Sequence, residues 1–195
     1  MKFTSTSVSG AYLIELEKRE DERGFLARTW DRREFEEHGI VLNLLEGYTC
    51  STLKKGTVRG PHYVIPPHKE IKLTRVIRGS LYEVIVDLRP DSATYRKWMG
   101  MTMKASDYKM LVTPGGCAHA VLTLEDDTEY ISYYAPPYDA AHERGIRFDD
   151  PAFNINWPIP VSSVSEKDRS WPDFKEARSM NYESGITNKY LDPNP

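Results

Sequence analysis

The chain has 195 residues, of which 39% are hydrophobic, so it is long enough for one domain with a single core. Its net charge is −3 with acids and bases interspersed, which argues against a nucleic-acid-binding surface. Cys50 and Cys117 lack zinc-type spacing, and no signal peptide or long apolar run is evident. We therefore predict a reduced, cytoplasmic protein that binds neither nucleic acid nor a membrane.

Short β-prone runs separated by turn residues occupy most of the chain. In chain order, the predicted strands are residues 12–16, 41–45, 72–77, 80–88, 98–103, 109–113, 120–124 and 129–134. In the run LYEVIVDL, alternation places Glu83 and Asp87 on one face of the strand. That face is either solvated or lines a polar cavity, and the sequence leaves both alternatives open.

Two segments have helical features. Residues 31–38 start with Asp31 as a candidate N-cap, carry Glu34 three positions later and stop before Gly39. Residues 173–180 are a weaker candidate. The polar residues 179–195 are predicted to form a tail after a single domain of residues 1–178. Many strands, with helices only near the ends, indicate an all-β barrel of antiparallel strands.

His62 and His119 are the candidate functional histidines, because each lies among small or rigid residues, in RGPHY and PGGCAH. One interpretation is a core histidine whose ring nitrogens have buried partners. A metal site is disfavoured, since no His-x-His pair is present. The third interpretation is proton transfer, in which a neutral imidazole acts as a base and nearby Lys72 stabilises negative charge on a carbonyl oxygen.

Several motifs together resemble the dTDP-4-dehydrorhamnose 3,5-epimerase family over residues 23–168. In order, they are RGPHY, KLTRVIRGSLYEVIVDLRPDSATYRKW, VTPGGCAHAV, RGIRFDDPAFNINWP and SEKD. The resemblance implies a cupin-type jelly-roll β-barrel with short peripheral helices that forms a homodimer. It also implies an isomerase, working without metal or cofactor, that epimerises a nucleotide-linked 4-keto-6-deoxy sugar at C3, C5 or both in deoxysugar and polysaccharide biosynthesis.

The resemblance further implies roles for the matching residues. His62 would remove the proton beside the C4 ketone, Asp168 of SEKD would orient His62, and Lys72 would face the enolate oxygen. The implied substrate-binding residues are Arg23 and Arg59 for the diphosphate, with Ser51, His119, Tyr138, Glu143 and Lys167 elsewhere in the site. Arginine suits the diphosphate independently, because its planar fork matches phosphate oxygens.

The chain departs from the family at the proton donor. Counting from His119 and from ERGIRFDDP places Ser132 where the family has its donor tyrosine, and a serine hydroxyl is shorter and far less acidic than a phenol. We keep Ser132 as a substrate contact. Tyr130 and Tyr134 share its strand face, while Tyr133 points the other way in a regular strand. A one-residue bulge would bring Tyr133 inward, so Tyr133 is the predicted donor.

The residues expected to contact the nucleotide also differ from those of the family. Leu26 stands where an aromatic residue is common, and Gly47 and Thr49 replace the glutamine and asparagine of the family pattern. Two functions therefore remain. The protein is either an epimerase in which another group returns the proton, or a sugar-nucleotide-binding paralogue with little or no turnover. Isotope exchange from solvent into a keto-sugar nucleotide separates the two.

Overall fold

The computed structural model describes residues 1–44, 46–66, 69–135 and 140–174. Within these ranges the strands are β1 Lys2–Ser5, β2 Tyr12–Glu15, β3 Lys18–Asp21, β4 Gly24–Ala27, β5 Glu46–Thr52, β6 Thr57–Val64, β7 Ile71–Arg78, β8 Ser80–Asp87, β9 Trp98–Lys104, β10 Lys109–Thr113, β11 Cys117–Thr123, β12 Thr128–Ala135, β13 Glu143–Gly145 and β14 Ser163–Val164. The helices are α1 Arg32–Glu37 and α2 Glu166–Arg169, and one 3-10 turn covers Ala105–Asp107.

Two sheets pack face to face. The first has the order β1-β2-β10-β7-β12-β5 and the second the order β13-β6-β11-β8-β9, while β14 joins β6 and β3 pairs only with β4. All pairs are antiparallel except β14 with β6. Val76 and Tyr130 of the first sheet meet Ile85 and Val121 of the second in one apolar cluster. The predicted all-β class is therefore confirmed.

The outer face of the first sheet is covered by α1. Met110 and Val112 of β10 pack outward against Phe35 of the helix, while Leu111 between them joins the inner cluster. Phe35 is fully buried, and burying a side chain of this size stabilises the fold by about 2–3 kcal/mol. The helix begins as predicted, because the Asp31 side chain accepts hydrogen bonds from the backbone N–H groups of residues 33 and 34.

Most predicted strands are confirmed to within three residues, but the strand predicted over residues 41–45 is wrong. Residues 41–44 pair with no strand, and residue 45 lies outside the described part of the chain. Ile40 and Leu42 are instead buried beside Phe35, while Val41 points to solvent. The alternation reflects an extended segment lying over the helix, without a hydrogen-bonded neighbour. The next segment that pairs with another strand is β5, which begins at Glu46.

Seven strands were missed, namely β1, β3, β4, β5, β6, β13 and β14. Strand β6 was hidden by Gly60 and Pro61, which usually interrupt strands. Of the second predicted helix, residues 173 and 174 are not helical, and residues 175–180 lie outside the described residues, as does the predicted tail. The short helix α2 was also missed. None of the helices in the described ranges has the length and hydropathy that a membrane crossing requires.

Asp87 is a buried carboxylate that makes the fold sensitive to acid. It accepts hydrogen bonds from Arg89 Nε at 2.8 Å, Ser92 Oγ at 2.5 Å and Thr94 Oγ1 at 2.6 Å. Burial alone would raise the pKa of Asp87, but these donors outweigh burial and lower it to about 2. Because the folded pKa is depressed, the resulting stability is present above about pH 4 and is lost as the pH falls towards 2.

We therefore expect the free energy of unfolding to fall by about 2 kcal/mol between pH 4 and pH 2 through Asp87. Urea unfolding measured at several pH values checks this, and Asp87→Asn should flatten that part of the profile. Asp91→Asn is the matched control, because Asp91 is exposed in the same turn. An Asp87→Asn variant that retains the whole acid slope would contradict the assignment.

Candidate active site

Alternation along the strands directs the polar residues between the two sheets. Lys72 lies an even number of residues from Val76 on β7, and His119 lies two residues from Val121 on β11, so each pair shares a face of its strand. Val76 and Val121 belong to the inner cluster. His62 on β6 lies directly opposite His119 in the strand register. The strand pattern thus directs His62, His119 and Lys72 towards the space between the two sheets.

His62 forms a tight pair with Asp168. Its Nε2 atom lies 2.5 Å from Asp168 Oδ1, although the two residues are 106 positions apart. Asp168 is held at the start of α2, where its backbone N–H donates to the N-cap Ser165 Oγ, and its Oδ2 accepts the backbone N–H of Gly60. The carboxylate therefore fixes the imidazole orientation and leaves the other ring nitrogen, Nδ1, as the candidate base.

Asp168 is charged at neutral pH. Burial by itself would raise the pKa of Asp168, but the hydrogen bond with His62, the nearby imidazole charge and the Gly60 N–H outweigh it, and the pKa lies below its usual value. Only 4% of Asp168 is exposed to solvent. A buried carboxylate of this kind stabilises the positive charge that an imidazole acquires when it accepts a proton.

Glu143 and Lys167 join the same cluster. Glu143 Oε1 lies 3.5 Å from His62 Nδ1, and its Oε2 accepts a hydrogen bond from Lys167 Nζ. Pairing of β13 with β6 brings Glu143 to this position. The structure thus brings four residues named from the sequence, His62, Asp168, Glu143 and Lys167, to one wall of the site.

His119 has a buried acidic partner that the sequence did not single out as functional. Its Nε2 lies 3.2 Å from Oε2 of Glu83, which is fully buried on β8. The acid-bearing face of LYEVIVDL therefore points between the sheets, which settles the alternative that the sequence left open. The available signal was the strand parity, which Glu83 shares with the core residues Leu81 and Ile85.

Lys72 has a buried acidic partner as well, and sequence reasoning missed it. Lys72 Nζ lies 3.0 Å from Glu70 Oε1, with 9% of Lys72 and 6% of Glu70 exposed. The ammonium also lies 5.2 Å from the centre of the Tyr134 ring, within the range of a cation–π contact. Glu70 stands only two residues before Lys72, but the sequence gives no sign that the pair is buried.

Arg59 borders a cavity of about 360 Å³ that is also lined by His62, Lys167 and Asp168. Its Nε donates to Thr52 Oγ1 at 3.0 Å, and its Nη2 donates to the backbone carbonyl oxygen of Ser51 at 3.2 Å. These two bonds hold the plane of the guanidinium at the edge of the cavity. Ser51 therefore contributes its main chain to the position of Arg59.

One of the predicted substrate-binding residues, Arg23, is not brought to this cluster. Arg23 lies in the β3–β4 hairpin, which pairs with neither sheet, and its 82% exposed side chain pairs with Asp21. Tyr138 lies outside the described residues. Within the described ranges, no group of three or more His, Cys, Asp or Glu residues is arranged to hold a metal ion.

The structure places Tyr133 on the outer face of the first sheet. Its ring packs with the cluster that contains Phe35 and Leu73, and it lies against Gly47, where a Cβ atom would come within 2.9 Å of the ring. The register shift between β12 and β7 falls between residues 129 and 130, so pairing is regular from residue 130 onward. No bulge in the described strand β12 therefore turns Tyr133 inward, and the prediction that Tyr133 is the donor is wrong. Ser132 does face inward and is 1% exposed.

The two packed sheets form a jelly-roll barrel, and a paired histidine and aspartate border its cavity. A sequence model of the dTDP-4-dehydrorhamnose 3,5-epimerase family matches residues 5–176, and the chain belongs to this family. Two relatives carrying that name come from Sinorhizobium fredii, at 37% identity, and Methanothermobacter thermautotrophicus, at 35% identity. The alignments cover 90% of this chain in both cases, and 91% and 95% of the relatives.

Solved structures agree with this assignment. The 3,5-epimerase from Bacillus anthracis, with TDP and PPi bound, gives a TM-score of 0.84 at 32% identity and covers 89% of this chain and 99% of its own. ChmJ, a 3'-monoepimerase from Streptomyces bikiniensis in complex with dTDP-quinovose, gives 0.79 at 26% identity with coverages of 86% and 85%. The predicted cupin-type jelly roll and the predicted class, a nucleotide-sugar isomerase, are confirmed.

Proposed function

We propose that the protein inverts a carbon next to the C4 ketone of a dTDP-linked 4-keto-6-deoxy sugar, at C3, C5 or both. The observation that carries this proposal is the 2.5 Å pair between His62 Nε2 and the buried Asp168, beside a cavity edged by Arg59. Relatives named as dTDP-sugar epimerases, and a neighbour from Legionella pneumophila in complex with dTDP-4-keto-L-rhamnose, support the substrate class.

The proposed reaction starts at His62. With Nε2 held by Asp168, the lone pair of Nδ1 removes the proton from the carbon beside the ketone, and the electron pair of the broken C–H bond moves onto the carbonyl oxygen. The ammonium of Lys72 stabilises the resulting enolate, and His119, paired with Glu83, donates to the same oxygen. Proton removal by a positioned base contributes about 10²- to 10⁴-fold to such a rate.

We propose that Arg59 and Arg23 hold the diphosphate, while Glu143 and Lys167 contact the substrate elsewhere in the site, as the resemblance implies. Arg59→Lys keeps the charge but loses the planar fork, so we expect the affinity for dTDP to fall about tenfold to a hundredfold. Isothermal titration calorimetry measures this affinity. The matched control is Arg32→Lys, because Arg32 is an exposed arginine on α1 paired with Glu36. Wild-type affinity in Arg59→Lys would contradict the role.

Incubation with dTDP-, CDP- and GDP-linked 4-keto-6-deoxyhexoses in deuterium oxide tests the proposed function. NMR and mass spectrometry should detect deuterium at C3, C5 or both, with inversion, and thereby identify the carbon and the nucleotide. If one compound binds tightly but none takes up label, the protein is the binding paralogue. Ser132, which replaces the family's donor, favours that second candidate and makes the test necessary.

The proposal includes a homodimer that works in the cytoplasm without metal or organic cofactor, and that binds no nucleic acid. Analytical ultracentrifugation determines the oligomeric state. Activity measured after prolonged dialysis against a chelator tests metal independence, and we expect it to be unchanged. Pathway membership in deoxysugar and polysaccharide biosynthesis follows from the substrate class and is tested by the same panel of nucleotide sugars.

A further inference from the structure

Tyr134 presents its ring to the same interior as Ser132. The two residues are two positions apart on β12, so their side chains share a face of the strand. In the strand register Tyr134 lies directly opposite Lys72, and Lys72 Nζ is 5.2 Å from the centre of its ring. Tyr134 is therefore beside the cation assigned to the enolate oxygen.

The Tyr134 ring is held from two sides. Lys72 contacts one side, and the ring of Tyr48 on β5 lies with its centre 5.0 Å away at 44°. The Ser132 side chain lies near enough to lower the pKa of Tyr134. The phenol thus lies next to the position where the family's donor tyrosine would stand.

The other nearby hydroxyl groups are less suited to donate a proton to a bound sugar. Tyr130 is 5% exposed and belongs to the apolar cluster between the sheets. Tyr133 packs on the outer face of the sheet. Ser132 would leave an alkoxide, which is far more basic than a phenolate. Among the described tyrosines of β12, Tyr134 alone combines an inward face with contact to Lys72.

The protonation state of Tyr134 agrees with an acid. Burial raises its pKa to about 12 against the opposing effect of the Ser132 hydroxyl, and the charges of Glu70 and Glu143 add to the rise. The phenol therefore carries its proton at neutral pH. Glu143, one of the charges that raise the pKa of Tyr134, also contacts His62.

His62 and Tyr134 belong to different sheets. His62 is on β6 of the second sheet and Tyr134 on β12 of the first, and the two sheets pack face to face. A sugar ring bound between them would have the base on one face and the phenol on the other. Inversion requires this arrangement, because the proton must leave from one face of the carbon and return to the opposite face.

We infer that Tyr134 is the catalytic acid that returns a proton to the carbon, in place of the tyrosine that Ser132 replaces. The inference rests on the proposed function. His62 takes the proton as the C–H bond breaks and the electron pair moves to the oxygen. The Tyr134 O–H bond then breaks as the new C–H bond forms and the ketone returns. The imidazolium proton and the phenolate are afterwards neutralised through solvent, so protons and charge balance.

The test follows deuterium and configuration together in Tyr134→Phe, with the keto-sugar nucleotide that the wild type labels. The variant loses the acid but keeps the base, so His62 can still exchange its proton with solvent and return deuterium to the original face. We expect the inverted product to form about 100-fold or more slowly, while label continues to enter the uninverted isomer. Tyr82→Phe is the matched control. Tyr82 lies on β8 with its ring beside Trp157, and this variant should invert the substrate like wild type.

Each other outcome is decisive. Inversion by Tyr134→Phe within a few-fold of wild type would overturn the inference, as would loss of both label and inversion, since Tyr134 would then act before the proton leaves the carbon. If Ser132→Ala or Tyr133→Phe gives the retained isomer instead, the donor is that residue. A wild-type protein that takes up no label at all would reject the proposed function itself, which is a different result.

Discussion

Replacing His62 with asparagine is expected to lower deuterium incorporation into the keto-sugar nucleotide by about 10²- to 10⁴-fold. Asparagine is similar in size, and its amide can still donate to Asp168, so the carboxylate keeps a partner in place of the imidazole at 2.5 Å. No basic nitrogen remains, however. The loss should therefore appear in the exchange rate at every pH, while the urea unfolding midpoint changes little.

His38→Asn is the control for this substitution. His38 caps the end of α1, where its Nδ1 contacts the backbone carbonyl oxygen of Glu34 at 2.8 Å. This variant removes an imidazole of the same chemistry from the surface and should exchange deuterium like wild type. Unchanged exchange in His62→Asn would reject His62 as the base. Equal losses in both variants would point to a general effect on the fold.

The strands could largely be predicted from local alternation, because a sheet buried on one face requires apolar residues at every second position. The prediction failed where the alternation of apolar residues does not coincide with backbone hydrogen bonding between strands. Residues 41–44 alternate but cover α1 without a strand partner, while β6 is paired on both sides although Gly60 and Pro61 interrupt its pattern. Alternation reports which side chains are buried, and pairing depends on the rest of the fold.

The candidate site shows the same division. His62 and Asp168 are far apart in sequence, and no local pattern joins them; the resemblance to a family did so, and the structure places them in contact. The sequence left open whether Glu83 is solvated or lines a cavity, and it gave no sign of Glu70, because an isolated acid usually lies in solvent. Each is buried because a cationic or imidazole group stands beside it.

The donor position illustrates what a strand pattern leaves open. The requirement for a phenol near Ser132 predicts a bulge that would turn Tyr133 inward. The register shift lies at residues 129 and 130 instead, and Tyr133 fills an apolar cluster on the outer face. Bulge position depends on how both neighbouring strands pack. In the observed register, Tyr134 is the phenol that faces Lys72.

The second large effect is expected at Lys72. Lys72→Met preserves the length and bulk of the side chain but removes the ammonium that we propose faces the enolate oxygen. Loss of one oxyanion-stabilising group costs about 3 kcal/mol of transition-state stabilisation, or roughly a hundredfold in the exchange rate. The same change leaves the Glu70 carboxylate buried without its partner, which destabilises a fold by about 3–5 kcal/mol.

A double variant separates these two effects. Glu70→Gln combined with Lys72→Met removes both charges, so most of the free energy of unfolding lost in Lys72→Met should return, as measured by urea denaturation. The exchange rate should stay about a hundredfold below wild type, because the neutral pair still offers no cation to the enolate. If the double variant regains its stability and exchanges deuterium within a few-fold of the wild-type rate, Lys72 acts only in stabilising the fold. The proposed role at the enolate oxygen would then be wrong.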